Sequence, residues 1–123
     1  MITGFVTPNI QATIRLLIED SASKTQAIDV IIDTGFSGAM SLPATLVSAL
    51  GLQTISFENV QVADGSVVRT SVHSATVMWD GKARRVDVHA MGVQQSIGMS
   101  MLMGHDVYIR ATDGGSVRIE LPP

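Results

Sequence analysis

The tripeptide Asp33-Thr34-Gly35 follows directly on the apolar run Ala27-Ile28-Asp29-Val30-Ile31-Ile32 and leads into Phe36-Ser37-Gly38. A carboxylate at the end of a strand that enters a core is costly unless it is hydrogen-bonded or paired, so its presence there calls for a use. Gly35 and Gly38 permit a tight turn and the close approach of another backbone or a ligand, as a loop presenting a reactive group requires. The segment reads as a strand that delivers a catalytic carboxylate, Asp33. The tripeptide alone is a weak signal, and its context carries the weight.

No other residue set competes for chemistry. The 123-residue chain has no cysteine, which removes disulfides, thiolate catalysis and cysteine-based metal sites together and fits a reducing compartment. His73 and His89 stand on strand-like segments with no third ligand at a suggestive spacing, so neither a metal nor another cofactor is expected. The net charge is −3, and the eight Lys and Arg residues form no basic stripe beyond the pair Arg84-Arg85, so nucleic acid is not an expected partner. The start, Met1 to Pro8, lacks a basic region and a long apolar core, unlike a signal peptide. No stretch approaches the ~18 apolar residues of a membrane span. The expectation is a soluble, cytoplasmic protein with no membrane partner.

The elements that must position Asp33 are strands. The apolar period is close to two and turn signals recur at short intervals, which predicts an all-β domain with one short helix. Gln11 to Ile18 alternates, and Gln26 to Ile32 becomes continuously apolar as it approaches Asp33. A helix is expected at Pro43 to Leu50, where Leu46, Val47 and Leu50 share a face and Gly51 suits the left-handed C-terminal position. Asp64-Gly65 and Asp80-Gly81 sit between alternating runs, a strong hairpin signal. They predict the pairs Ser56 to Ala63 with Ser66 to Ser74, and Ala75 to Trp79 with Ala83 to Ala90. Gly92 to Ser100 reads as a loop and Met101 to Met103 as a short strand turning at Gly104. A last hairpin joins Tyr108 to Ala111 with Ser116 to Leu121 around Asp113-Gly114-Gly115. Residues 1 to 123 are read as one domain.

Three segments resemble the retropepsin-like, single-domain aspartic proteases. The first is Val30-Ile31-Ile32-Asp33-Thr34-Gly35-Phe36-Ser37-Gly38, similar to the family's apolar strand and catalytic loop. The second is Val62-Ala63-Asp64-Gly65-Ser66, where the family has its flap hairpin. The third is Met101-Leu102-Met103-Gly104-His105-Asp106-Val107-Tyr108, similar to the family's apolar pair, glycine and short helical turn. Order and spacing agree across roughly residues 10 to 121, and the likeness is nearest to bacterial members of this size. The resemblance implies a closed-barrel-like acid protease fold and hydrolysis of peptide bonds in extended polypeptide.

Peptide hydrolysis then constrains the assembly. One carboxylate cannot both take a proton from water and supply one to the carbonyl or leaving amine, whereas two neighbouring carboxylates share a proton because both cannot readily ionise. The chain holds a single Asp33 loop, so the second carboxylate must come from another copy, in a homodimer with twofold symmetry. The resemblance gives Asp33 the task of holding and activating water, Thr34 a hydroxyl contact to the partner loop, and Gly35 the close approach of the loops. Phe36 and the flap residues Ala63, Asp64, Gly65 and Ser66 are the expected substrate-binding residues. Phe36 departs from the small residue usual at that position. It cannot hydrogen-bond the carboxylate and makes the surroundings more apolar, so an activity optimum at mildly acidic to neutral pH is expected.

Two further readings keep the fold: a catalytically idle dimeric module for peptide binding or assembly, and a monomeric barrel. Smaller alternatives also stand. His105 and Asp106 read either as a dimer brace or as a capped surface turn, and Asp29 as a partner for Arg110 or Arg118 or as a solvated edge residue. The segment Val117 to Leu121 fits either a sheet interleaved between subunits or the second strand of its own hairpin.

Overall fold

The period-two pattern folds as strands. In the computed structural model, which describes residues 1–123, β1 is Ile2–Val6, β2 Ala12–Glu19, β3 Thr25–Ile32, β4 Met40–Leu42 and β5 Gln53–Gln61. The second half holds β6 Val67–Trp79, β7 Lys82–Ala90, β8 Ser96–Ile97, β9 Asp106–Ile109 and β10 Ser116–Glu120. The helices are α1, Ala44–Leu50, and α2, Met99–Leu102. Along β2 the residues Ile14, Leu16 and Ile18 are buried while Arg15, Leu17 and Glu19 are exposed. β3 repeats this, with Ile28 and Val30 inside, and pairs with β2 so that Leu16 faces Ile28 and Ile14 faces Val30.

All strands belong to one sheet, in the order β5-β6-β7-β4-β8-β3-β2-β1-β10-β9. An added pairing of β6 with β2, Leu17 to Met78 and Ile18 to Val77, joins strands far apart in that order. The run from β6 through β7, β4, β8 and β3 to β2 thereby closes into a barrel. Ile18, Val30, Met40, Leu42, Val88 and Ile97 fill it without measurable exposure, each contributing roughly 1.5–3 kcal/mol of apolar burial.

The Asp-Gly turns form where expected. Asp80 and Gly81 both have positive φ, 51° and 80°, the two-residue hairpin that this dipeptide favours. Ser74 and Ala75 were expected to end one hairpin and begin another. Instead they lie inside the unbroken 13-residue β6, because no turn residue separates them, and β6 serves both hairpins. α1 begins at Ala44, with Pro43 as its N-cap and Gly51 capping its end at φ 66°.

The expected strand at Met101 to Met103 is absent, and α2 takes its place. The first amide groups of α2 find acceptors in the loop after Asp33: Met99 N–H donates to the Phe36 carbonyl at 2.8 Å and Ser100 N–H to Gly38 at 3.2 Å. Met101 and Leu102 then turn into the core.

β10 pairs with β9 on one side and with β1 on the other. Val117–Leu121 is thus the second strand of its own hairpin, its neighbours all within the chain. Asp29 pairs with Arg15, directly opposite on β2, at 3.1 Å, not with Arg110 or Arg118. Both side chains are exposed, so the pair contributes at most about 1 kcal/mol.

Candidate active site

β3 carries Asp33 to the rim of the barrel. Its last residues pair in parallel with β8, Ile31 with Ser96 and Ile32 with Ile97, and the Asp33 N–H donates to the Ile97 carbonyl at 2.9 Å. The chain then turns: Phe36 N–H donates to the Asp33 carbonyl at 3.1 Å, and the Asp33 carboxylate accepts from Gly35 N–H at 3.0 Å. Such a side-chain turn fixes a carboxylate against its own loop. Asp33, Thr34 and Gly35 are all exposed.

The loop lies flat on the start of α2 because Gly98 has no side chain. A Cβ there would stand 2.4 Å from the Gly38 carbonyl oxygen and 2.5 Å from that of Phe36. Gly98 N–H donates to Ala39 at 2.9 Å. Residues 97–100 thus clamp both sides of the Asp33 loop.

Above the loop stands the β5–β6 hairpin. Its tip is a turn closed by Gly65 N–H to Val62 and Val62 N–H to Ser66, both 2.9 Å, with Gly65 at φ 85°. The Asp64 carboxylate accepts the Ser66 hydroxyl and the Ser66 N–H, the latter at 2.8 Å, and these bonds hold its pKa below the usual carboxylate value. Between loop and tip opens a cleft of 600 Å³ lined by Asp33, Gly35 and Phe36 on one side and by Val60, Gln61, Val62, Ala63 and Gly65 on the other.

A second cleft, of 780 Å³, is lined by Gly35, Phe36 and Gly38 together with Glu58, Val60, Arg84, Asp87 and His89. Gly35, Phe36, Val60 and Gln61 line both clefts. The Phe36 ring meets the imidazole of His89 edge-on at 5.5 Å, and His89 in turn bonds Glu58 at 2.7 Å.

Among solved structures the chain is similar to the EIAV protease complexed with the inhibitor HBY-793, with a TM-score of 0.53. The alignment covers 75% of this chain and 85% of that one at 19% sequence identity. The fold is that of a retropepsin. No protein-family model matches the chain, and neither does any curated protein.

On the retropepsin fold, Asp33, Gly35, Phe36, Ala63 and Gly65 come together around one cleft. Thr34, Asp64 and Ser66 do not line it: Thr34 sits exposed on the loop, and Asp64 and Ser66 bond each other at the hairpin tip. The third resembling segment is displaced. Ile97-Gly98 followed by α2 supplies an apolar residue, glycine and helical turn at the loop, with the polar Ser96 where the first of the apolar pair was expected, whereas Met103 and Gly104 are exposed. His105 braces Trp79, whose indole N–H donates to its Nε2 at 3.3 Å, and Asp106 opens β9.

Sequence reading missed Gly98, Glu58 and His89. Gly98 had a signal, an apolar residue before it and Met99-Ser100-Met101-Leu102 after it. Glu58 and His89 had none, since their contact depends on how three strands stack. His73 is held by Ser71, Thr54 and the Leu52 carbonyl, at 2.9, 3.3 and 3.1 Å.

Proposed function

We propose that the protein is an aspartic endopeptidase that works as a homodimer, its water activated by two Asp33 carboxylates, one from each subunit. The observation that carries this reading is the cleft bounded by the Asp33 loop below and by Ala63 and Gly65 of the hairpin above. Likeness to a retropepsin in fold, and the exposure of Asp33, Thr34 and Gly35, support it: the loop is free to meet a second copy of itself. In the pair, one carboxylate takes a proton from water while the other, protonated, polarises the scissile carbonyl, and the proton passes on to the leaving amine.

β5 ends the sheet and its open edge, Glu58 to Gln61, runs along both clefts. An extended peptide lying there gains backbone hydrogen bonds as an added strand, with alternate side chains entering the two clefts. The hairpin tip moves to admit it and then excludes water.

The test is cleavage of a diverse peptide library from pH 3 to 8, read by mass spectrometry, for the wild type and Asp33→Asn at concentrations that populate the dimer. Loss of cleavage by roughly 10³-fold or more in the variant, with fold and association kept, is the expected result. A second reading, an idle peptide-binding module, draws on Phe36, a large apolar side chain lining the cleft beside Asp33. Peptide binding by both proteins with cleavage by neither would establish it.

A further inference from the structure

The second cleft, of 780 Å³, holds charges that the hydrolysis of a peptide bond does not use: Arg84, Arg85, Glu58 and Asp87 all line it. Glu58 is committed to His89 at 2.7 Å. Asp87 faces Arg85 at 3.7 Å, too far for a hydrogen bond, and both side chains are exposed. Arg84 has no carboxylate partner anywhere in the chain.

Arg84 is nevertheless held in place. Its Nη1 donates to the Met101 carbonyl at 3.1 Å and its Nη2 to the Ser100 carbonyl at 3.4 Å, and its guanidinium lies 5.7 Å from the centre of the Trp79 ring. A guanidinium has five N–H groups, so three stay free. A fixed fork with free donors loses little freedom when it grips a carboxylate through two parallel hydrogen bonds. Arg84 and His89 stand five positions apart on β7, about 17 Å of strand, so the cationic end of the cleft lies away from the Glu58 carboxylate.

The backbone adds a donor. Met91 N–H donates to the Leu42 carbonyl, so the residues in step with Met91, namely His89, Asp87 and Arg85, turn their amides and carbonyls to the β4 side of β7. β4 pairs only with Val88 to Ala90. The N–H and carbonyl of Arg85 therefore meet no strand, at the place where Gly38 and Ala39 lead into β4 and line the same cleft.

We propose that this cleft is a carboxylate subsite, in which Arg84, Arg85 and the Arg85 N–H bind an Asp or Glu side chain, or the free C-terminus, of a peptide at a fixed distance from the bond cut. The assignment rests on the proposed function, since the two clefts share Gly35, Phe36, Val60 and Gln61 and one extended peptide reaches both. It adds what that peptide must carry. A basic side chain finds less here, because Glu58 and Asp87 already face His89 and Arg85.

The test separates binding from cleavage. Two libraries of N-acetylated octapeptides, one C-amidated and one with free C-termini, are equilibrated with Asp33→Asn, and the bound peptides are sequenced by mass spectrometry. Cleavage of the same libraries by the wild type is read in parallel. At one position Asp and Glu are expected to be enriched roughly tenfold over Asn and Gln; enrichment of free over amidated C-termini instead assigns the terminal carboxylate. Either preference is expected to weaken as salt is raised and to vanish when Arg85→Glu, a change at an exposed side chain, is added. Arg84→Gln is expected to act likewise, with its melting temperature followed because Arg84 also holds α2. No carboxylate enrichment, enrichment of Lys or Arg in its place, or enrichment that survives Arg85→Glu overturns the subsite. Cleavage by the wild type without an acidic preference overturns the subsite and leaves the peptidase standing. Carboxylate enrichment in binding, with no cleavage by the wild type, keeps the subsite and overturns the peptidase.

Discussion

Glu58, on the hairpin strand β5, accepts a hydrogen bond from the buried imidazole of His89, on β7, at 2.7 Å. A carboxylate only accepts, so His89 Nε2 carries the proton, and its buried Nδ1 has no hydrogen-bond partner. The β5–β6 hairpin is thus tied to the barrel through a ring whose only polar anchor is Glu58. Removing that anchor by Glu58→Ala is expected to cost about 1–2 kcal/mol and to speed amide exchange along β5, while Glu58→Gln, which still accepts, keeps most of the stability. Urea unfolding and hydrogen exchange read the two effects separately.

Gly98→Ala forces a methyl group against two backbone carbonyl oxygens, which no rotamer change relieves. The expected loss is about 2–4 kcal/mol of stability, with cleavage falling further than the unfolded fraction explains because the Asp33 loop is displaced. Gly92→Ala serves as a control: its positive φ strains any side chain, but a Cβ there meets nothing within 4 Å. That change is expected to cost only about 1 kcal/mol.

The hairpin tip responds to acid. Ser66 holds the Asp64 carboxyl below its ordinary value through its hydroxyl and its amide, so the folded group is the stronger acid. The stabilisation is present above the ordinary carboxylate pKa of about 4 and is lost as the pH falls through the lower, folded value. An NMR titration of the Asp64 carboxyl should show a depressed midpoint that Ser66→Ala returns toward normal, with tip amides exchanging faster at the acid end.

Thr34 is exposed in the single chain, so its hydroxyl is free for a partner loop. In the proposed homodimer, Thr34→Val is expected to leave the monomer's melting temperature unchanged and to weaken dimerisation by roughly tenfold, the worth of a modest hydrogen bond per subunit. Thr34→Ser keeps the dimer. Sedimentation equilibrium alongside calorimetry checks both, and a drop in monomer stability would assign Thr34 a role inside its own chain.

Local chemistry made much of this molecule readable from its residues. Asp80-Gly81 announces its turn because both positions need positive φ, and Asp33 announces its loop because an apolar strand runs straight into a carboxylate and two glycines. What stayed hidden depends on distant pairing. β4 and β8 have only three and two residues, too few to show a period, and they are strands only because β7 and β3 lie alongside. β1 gave no readable pattern and exists through β2 and β10. Met101-Leu102-Met103 is apolar enough for strand or helix, and the carbonyls of Phe36 and Gly38 decide for helix.

The clamp of residues 97–100 on the Asp33 loop also has a history in time. Parallel pairs between β3 and β8 and between β4 and β7 join segments far apart in the chain, and such contacts form slowly because their closing loops are long. The local hairpin of β6 and β7 can close first, while the turn that aims Asp33 must wait for Gly98 and α2. During synthesis Asp33 emerges well before Gly98 and α2, so its loop takes its final geometry only after those residues have followed. Pulse-labelled exchange during refolding should show Met99 and Ser100 gaining protection after the amides of β6 and β7.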